Sequence, residues 1–126
     1  MAVSARESMD RTFHLLRLIG MRSTYAGYNY LAYAIFLTLE NQEYLRKVTK
    51  NLYVVVGDKY GVSNRCVEAS LRTLISSYWN QNEDRILSRF LGYPIFEKPT
   101  ASEFVSILSD FLRDHPEFGL QNNRTS

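Results

Sequence analysis

The stretch from Val56 to Arg72 reads VGDKYGVSNRCVEASLR, and its reading decides the fold. Gly57 is a small residue where two helices can cross, and Gly61, four positions on, can take the positive φ of a sharp bend. Tyr60 and Val62 are apolar plugs on either side of that bend, Ser63 can cap the following helix, and Val67 and Leu71 then point inward. This is the pattern a helix-turn-helix needs. Such a motif leaves the start and one face of its second helix outside, and in DNA-binding versions that face enters the major groove. Here the face offers Ser63, Asn64, Arg65, Glu68, Ala69 and Arg72. Arginine pairs bidentately with guanine, asparagine pairs with adenine, and glutamate accepts from cytosine. Arg46, Lys47, Lys50 and Lys59, expected on the preceding helix, would meet phosphates, and Lys50 and Lys59 join the candidate site. A glycine turn between amphipathic helices also occurs in many α-proteins with no DNA partner, so the pattern alone leaves a purely structural role open.

Working outward, the rest of the chain also reads as helices. Val67, Leu71, Leu74 and Tyr78 share one face of a helix over 64–79, with Arg65, Glu68, Arg72 and Ser76 opposite. Before the turn, the spacing of Leu45, Val48, Leu52, Val56 and Tyr60 predicts one helix over 42–60, although the run Tyr53 to Val56 alone has strand propensity. A helix over 24–40 is lined by Tyr28, Leu31, Ile35 and Leu39, and one over 9–19 by Phe13, Leu16 and Ile19, with Gly20 as its stop. Ser4 and Glu7 form a capping-box pair that would start the first helix earlier. After Asn82 a short helix runs to about Gly92 and buries Ile86, Phe90 and Leu91. The last helix opens on the capping box Thr100-Ala101-Ser102-Glu103, carries Phe104, Ile107, Leu108 and Phe111, and stops at His115-Pro116. The expected architecture is all-α, a compact six-helix domain over 9–114 with a helix-turn-helix core, a flexible N-terminus over 1–8 and a C-terminal tail over 115–126.

Composition narrows the function. A chain of 126 residues has room for one domain. Its longest strongly apolar stretch, Leu31 to Leu39, is far short of the ~20 residues a membrane crossing needs. A single cysteine, Cys66, excludes an internal disulfide and a thiolate metal cluster, and a cytoplasmic protein fits best. The formal charge of +2 is unevenly divided: residues 1–79 hold 10 Lys/Arg against 6 Asp/Glu, and residues 80–126 hold 5 against 7. The front two thirds is the part suited to a polyanion.

Most other chemistry-bearing residues have structural readings. Cys66 beside Arg65 has the setting of a redox sensor, but a small residue at the edge of the packed face is the stronger reading. His14 and His115 stand alone in sequence, and Tyr25, Tyr28, Tyr30 and Tyr33 suit packing better than base stacking. Glu83, Asp84, Asp110 and Asp114 read as helix-surface charges. There is no nucleotide-binding glycine loop and no nucleophile elbow, so neither enzyme activity, a cofactor nor a metal is expected.

Ordered pieces along most of the chain carry a family resemblance. They are Ile19-Gly20, GYNYL at Gly27 to Leu31, VEASLRTLI at Val67 to Ile75 with Trp79 closing that helix, FLGY at Phe90 to Tyr93, and KPTASEF at Lys98 to Phe104. From Leu15 to Arg113 the chain resembles the C-terminal DNA-binding effector domain of stage-zero sporulation protein A, a response regulator family. The resemblance implies six helices, a helix at Val54 to Val56, a recognition helix reading a short DNA box, and copies touching on tandem boxes. RNA polymerase or a full-length relative is the expected protein partner. Glu68 and Arg72 match the family's recognition helix, whereas Cys66 and Ala69 stand where the family has arginines; Arg65 is an extra one. In the family a phosphorylatable receiver domain precedes this one. The stretch ahead of Leu15 is too short for a receiver, so for the chain as it stands no phosphorylation switch of that kind is expected. The rival expectation is an interaction protein, impaired in DNA reading, that modulates a full-length relative.

Overall fold

The computed structural model describes residues 4–81 and 84–120. Six α-helices follow one another: α1 (Ala5–Leu18), α2 (Ala26–Glu40), α3 (Leu52–Tyr60), α4 (Asn64–Asn80), α5 (Asp84–Leu91) and α6 (Ala101–Asp114), with no strand among the described residues. The all-α, six-helix architecture is therefore as the sequence predicts. Helix α2 is its hub, packing on α1, α3, α4 and α6. A helix so placed must be apolar nearly all round, and α2 buries Tyr28, Leu31, Ala32, Ala34, Ile35 and Leu37. It meets α4 so closely that a Cβ on Gly27 would lie 2.5 Å from the carbonyl oxygen of Ser70.

Helix α4 buries Val67, Leu71, Leu74 and Tyr78 as its periodicity requires. The Tyr78 hydroxyl donates to the Ile19 carbonyl at 2.6 Å, joining α4 to the end of α1. Both capping boxes form: Ser4 with Glu7 opens α1 at Ala5, one turn before the expected start, and Thr100 with Glu103 opens α6.

The expected helix over 42–60 is not continuous. Asn41 turns its side chain onto the Glu43 amide and opens a short 3-10 turn (Gln42–Leu45), after which the chain turns through 46–51 before α3 begins at Leu52. Thr49 and Asn51 are weak helix formers because their side chains compete for backbone groups. The turn also closes on itself, with the Asn51 amide donating to Lys47 and the Tyr53 amide to Val48, at 2.7 and 2.8 Å. The break lets Leu52 and Tyr53 enter the core while residues 49–51 stay outside. The valine-rich run Val54 to Val56 is helical, as the resemblance implies.

Helix α5 also departs from expectation. Leu87 is fully buried and Ile86 is 38% exposed, with Phe90 and Leu91 half-buried. The apolar stripe runs through 87, 90 and 91 at i, i+3 and i+4 spacing, and Ile86 lies beyond its edge, about 100° from Leu87 and about 40° past Phe90.

On the far side of α2, Arg11 of α1 is 4% exposed and gives every recorded bond to backbone: Nη2 to the carbonyls of Leu112 and His115 at 2.6 and 2.8 Å, and Nε to Phe118 at 2.8 Å. It thereby caps the end of α6 and holds residues 115–118 against α1. Residues 1–3 and 121–126 of the expected flexible ends, and Asn82 and Glu83 before α5, lie outside the described residues.

Candidate nucleic-acid interface

The interface is built on the turn between α3 and α4. Gly57 sits where the two helices meet, and a Cβ there would lie 2.4 Å from the Val62 carbonyl oxygen. No side chain fits that gap. Gly61 ends α3 at φ 71°, the left-handed conformation that favours glycine. The Val62 amide returns to the Gly57 carbonyl at 2.9 Å and closes the turn. Ser63 then starts α4, its hydroxyl accepting from the Cys66 amide at 3.1 Å. The glycine crossing, the bend and the cap thus have their physical counterparts here, and Val62 is half-buried, but Tyr60, expected as an apolar plug, is 37% exposed, with its ring against Tyr30 and Tyr33 of α2.

The predicted reading residues take three different situations. Ser63 is exposed but holds its hydroxyl on the cap. Asn64 is half-buried and donates from Nδ2 to the Thr49 carbonyl at 3.3 Å, which ties the 46–51 turn to the start of α4. Arg65 and Ala69 are exposed, and Arg65 has no recorded ion pair or hydrogen bond among the described residues. Glu68 and Arg72 face the same way one turn apart and form an ion pair at 3.1 Å. A pair this accessible is weak, worth well under ~1 kcal/mol, so it can open for another partner.

Two expectations for this face need correction. Arg46, Lys47 and Lys50 do not lie on the helix before the turn. They sit in the segment that interrupts the expected helix, where Arg46 pairs with Glu43 at 3.1 Å. Lys50 is exposed and follows Thr49, whose carbonyl accepts from Asn64 at the start of α4. Of the four, Lys59 alone is in α3, and its ammonium lies 5.5 Å over the Tyr33 ring of α2. Cys66 is exposed and not half-packed. It is the third residue of α4, and the buried stripe begins one residue later at Val67.

Lys98 was not among the candidate residues. It follows α5 and donates from Nζ to the Ser76 hydroxyl at 2.9 Å, adding a cation to the outer side of α4 one turn beyond Arg72. The capping box after it signals a helix start, but its position against α4 comes from tertiary packing. Tyr53 of α3 lies behind the same row: burial pushes its phenol up to about 12, the Glu68 carboxylate adds to this, and Arg72 partly offsets it.

The other titratable residues serve structure. Tyr25 shares a hydrogen bond with Ser77 at 2.8 Å, Tyr30 and Tyr33 pack on Tyr60, and Tyr28 is buried against Phe13. His14 packs on Phe118, and His115 stacks on Phe111 with Nδ1 2.9 Å from the Phe111 carbonyl. Asp110 pairs with Arg113 at 3.0 Å. Among the described residues no three of His, Cys, Asp and Glu gather in a way that would hold a metal, and no helix is long and apolar enough to cross a membrane.

A capped helix with exposed arginines, set by a glycine turn against a second helix within an all-α core, defines a domain of the helix-turn-helix class. The family described as "Sporulation initiation factor Spo0A C terminal" matches residues 12–112. The chain belongs to that family, whose domains are the DNA-binding effector part of a sporulation response regulator.

Proposed function

We propose that this chain is a sequence-specific, double-stranded DNA-binding module of transcription regulation, with α4 in the major groove, acting in the cytoplasm in a sporulation-related role. One observation carries the reading: Arg65, Glu68, Ala69 and Arg72 lie together on the accessible side of a helix whose start is fixed by Gly57, Gly61 and Ser63. Arg65 and Arg72 would read base edges. Ser63 and Asn64 would stand at the groove entrance, and Lys50, Lys59 and Lys98 would neutralise phosphates. Copies meeting on tandem boxes, and RNA polymerase as a partner, are part of the same reading.

A fluorescence anisotropy titration against a duplex library, repeated across salt, tests it. Binding should weaken with salt by a log–log slope of ~0.9 for each phosphate neutralised, and one box should outcompete scrambled duplexes. A folded protein with no affinity for duplex DNA at low salt would refute it. A second reading, an interaction protein that modulates a full-length relative, is favoured by two residues: Cys66 and Ala69 are exposed on this face where the family has arginines. Capture of a full-length relative without selective DNA binding would select that reading.

A further inference from the structure

A groove of about 320 Å³ opens behind the outer row of α4, between the Val48–Thr49 turn and the start of α6. Val48, Ile75 and Pro99 give it an apolar lining, and two cations from different elements, Arg72 and Lys98, stand along it, with the Glu68 carboxylate paired to Arg72. Lys98 is bonded to the neutral Ser76 hydroxyl and has no acidic partner among the described residues. Tyr53 is the informative member. Its residue is 2% exposed, its side chain lines the groove, and its hydroxyl has no hydrogen-bond partner among the described residues. That oxygen is not sealed in, since no buried side-chain polar atom lacks a partner. The ring is buried while the hydroxyl is accessible, so the phenol offers a ligand in the groove a hydrogen-bond donor held in a fixed place. The start of α6 is not the attraction, because Thr100 and Glu103 already cap each other.

The geometry points to this groove as a binding site for a small organic anion, with an aromatic or aliphatic body against the apolar lining and a carboxylate or phosphate head between Arg72 and Lys98. The Tyr53 hydroxyl, protonated at neutral pH like any ordinary phenol, donates to the head or to a polar atom beside it. Binding takes the Arg72 guanidinium from Glu68, whose ion pair is half-exposed and weak. Given the DNA-reading role proposed for Arg72, an occupied groove also draws that residue away from the duplex.

Phenyl phosphate is a suitable probe, with inorganic phosphate as its comparison, titrated into the full chain at constant ionic strength and followed by backbone amide spectra. Saturable shifts are expected at Thr49, Tyr53, Arg72 and Ser76, with inorganic phosphate binding more weakly. Tyr53→Phe and Lys98→Ala should each weaken phenyl phosphate about fivefold to tenfold while their spectra remain those of a folded domain. No saturation below roughly 10 mM, a generous ceiling for a ligand of this size, would overturn the site. So would equal binding of inorganic phosphate, or unchanged affinity in both variants. A DNA titration with the probe present separates the two readings. A weaker duplex affinity supports both. Probe binding that leaves duplex affinity untouched keeps the groove and removes Arg72 from the DNA-reading face.

Discussion

Arg11 on α1 gives its guanidinium to the carbonyls of Leu112, His115 and Phe118 and is 4% exposed, whereas the Arg72 side chain on α4 meets one carboxylate and is 67% exposed. The two regions around them differ in the same way. Between α1 and α6 the polar groups are turned inward and matched, and burial draws the Arg11 pKa below its ordinary value. At the α3–α4 turn the close packing is achieved by the absence of a side chain at Gly57, and the left-handed bend by Gly61, which leaves the polar groups of α4 free to face outward. Stability and recognition are thus assigned to different faces, and a residue type alone does not say to which it belongs.

Substitutions can break this contrast, and the largest effect is expected at Arg11. Arg11→Met keeps much of the bulk but leaves three carbonyls without their donor. One of these bonds is buried and two are part-buried, so at about 1–3 kcal/mol for a buried group left unsatisfied a loss of about 3 kcal/mol is expected in urea denaturation. The folded fraction should bind DNA as before. Gly57→Ala is next. Its Cβ would press the Val62 backbone, so the turn must shift, at about 2–3 kcal/mol, and here duplex affinity should fall with stability. A stable Gly57→Ala protein with intact DNA binding would show that the crossing does not set the angle of α4.

Arg72→Ala sharpens the comparison from the other side. It should leave urea stability within about 0.5 kcal/mol and weaken the preferred duplex by about 1–3 kcal/mol in anisotropy titrations. Arg113→Ala is the counterpart. Arg113 donates to the Thr38 carbonyl at 3.1 Å, so its loss should cost about 1 kcal/mol of stability with no change in DNA affinity. Equal losses of affinity in the two variants would mean that the outward face of α4 is misassigned. The smallest change in duplex affinity, a gain of about tenfold or 1.4 kcal/mol, is expected from Cys66→Arg with Ala69→Arg, which should tighten binding to the family's box but not to a scrambled one. Both positions are exposed, so neither arginine needs to displace packed atoms.

The parts of this structure that a local pattern controls were legible. Gly57, Gly61 and Ser63 act within one turn of each other, and both capping boxes close over three residues, so spacing carries them. What escaped was set by contacts distant in sequence. The interruption at 46–51 keeps an almost helical spacing through Leu45, Val48 and Leu52, and the need to place Leu52 and Tyr53 in the core decides against continuity. In α5, Ile86 and Leu87 are equivalent as apolar residues, and only packing chooses between them. Lys98 reads as an ordinary loop cation until α6 brings it to Ser76, 22 positions back. Arg11 had no signal at all, because a lone arginine in an amphipathic helix looks like a surface charge. On the candidate site, the residue types and the face were readable. The supporting cations were not, since their helix is broken.

The bond from Arg11 to Phe118 spans 107 positions, which gives the inward-facing region a role in time as well as in energy. The guanidinium can shed its water only after α1 and α6 have docked, so we expect this contact to form late in folding, beyond the rate-limiting barrier. Interactions absent from the transition state change the unfolding rate and leave the folding rate nearly alone. In stopped-flow kinetics the Arg11→Met loss should therefore fall on the unfolding arm. A penalty of about 3 kcal/mol there would shorten the lifetime of the native state by roughly a hundredfold. By this measure Arg11 governs how long α4 stays presented to a partner, while the time the chain takes to reach that arrangement is set elsewhere.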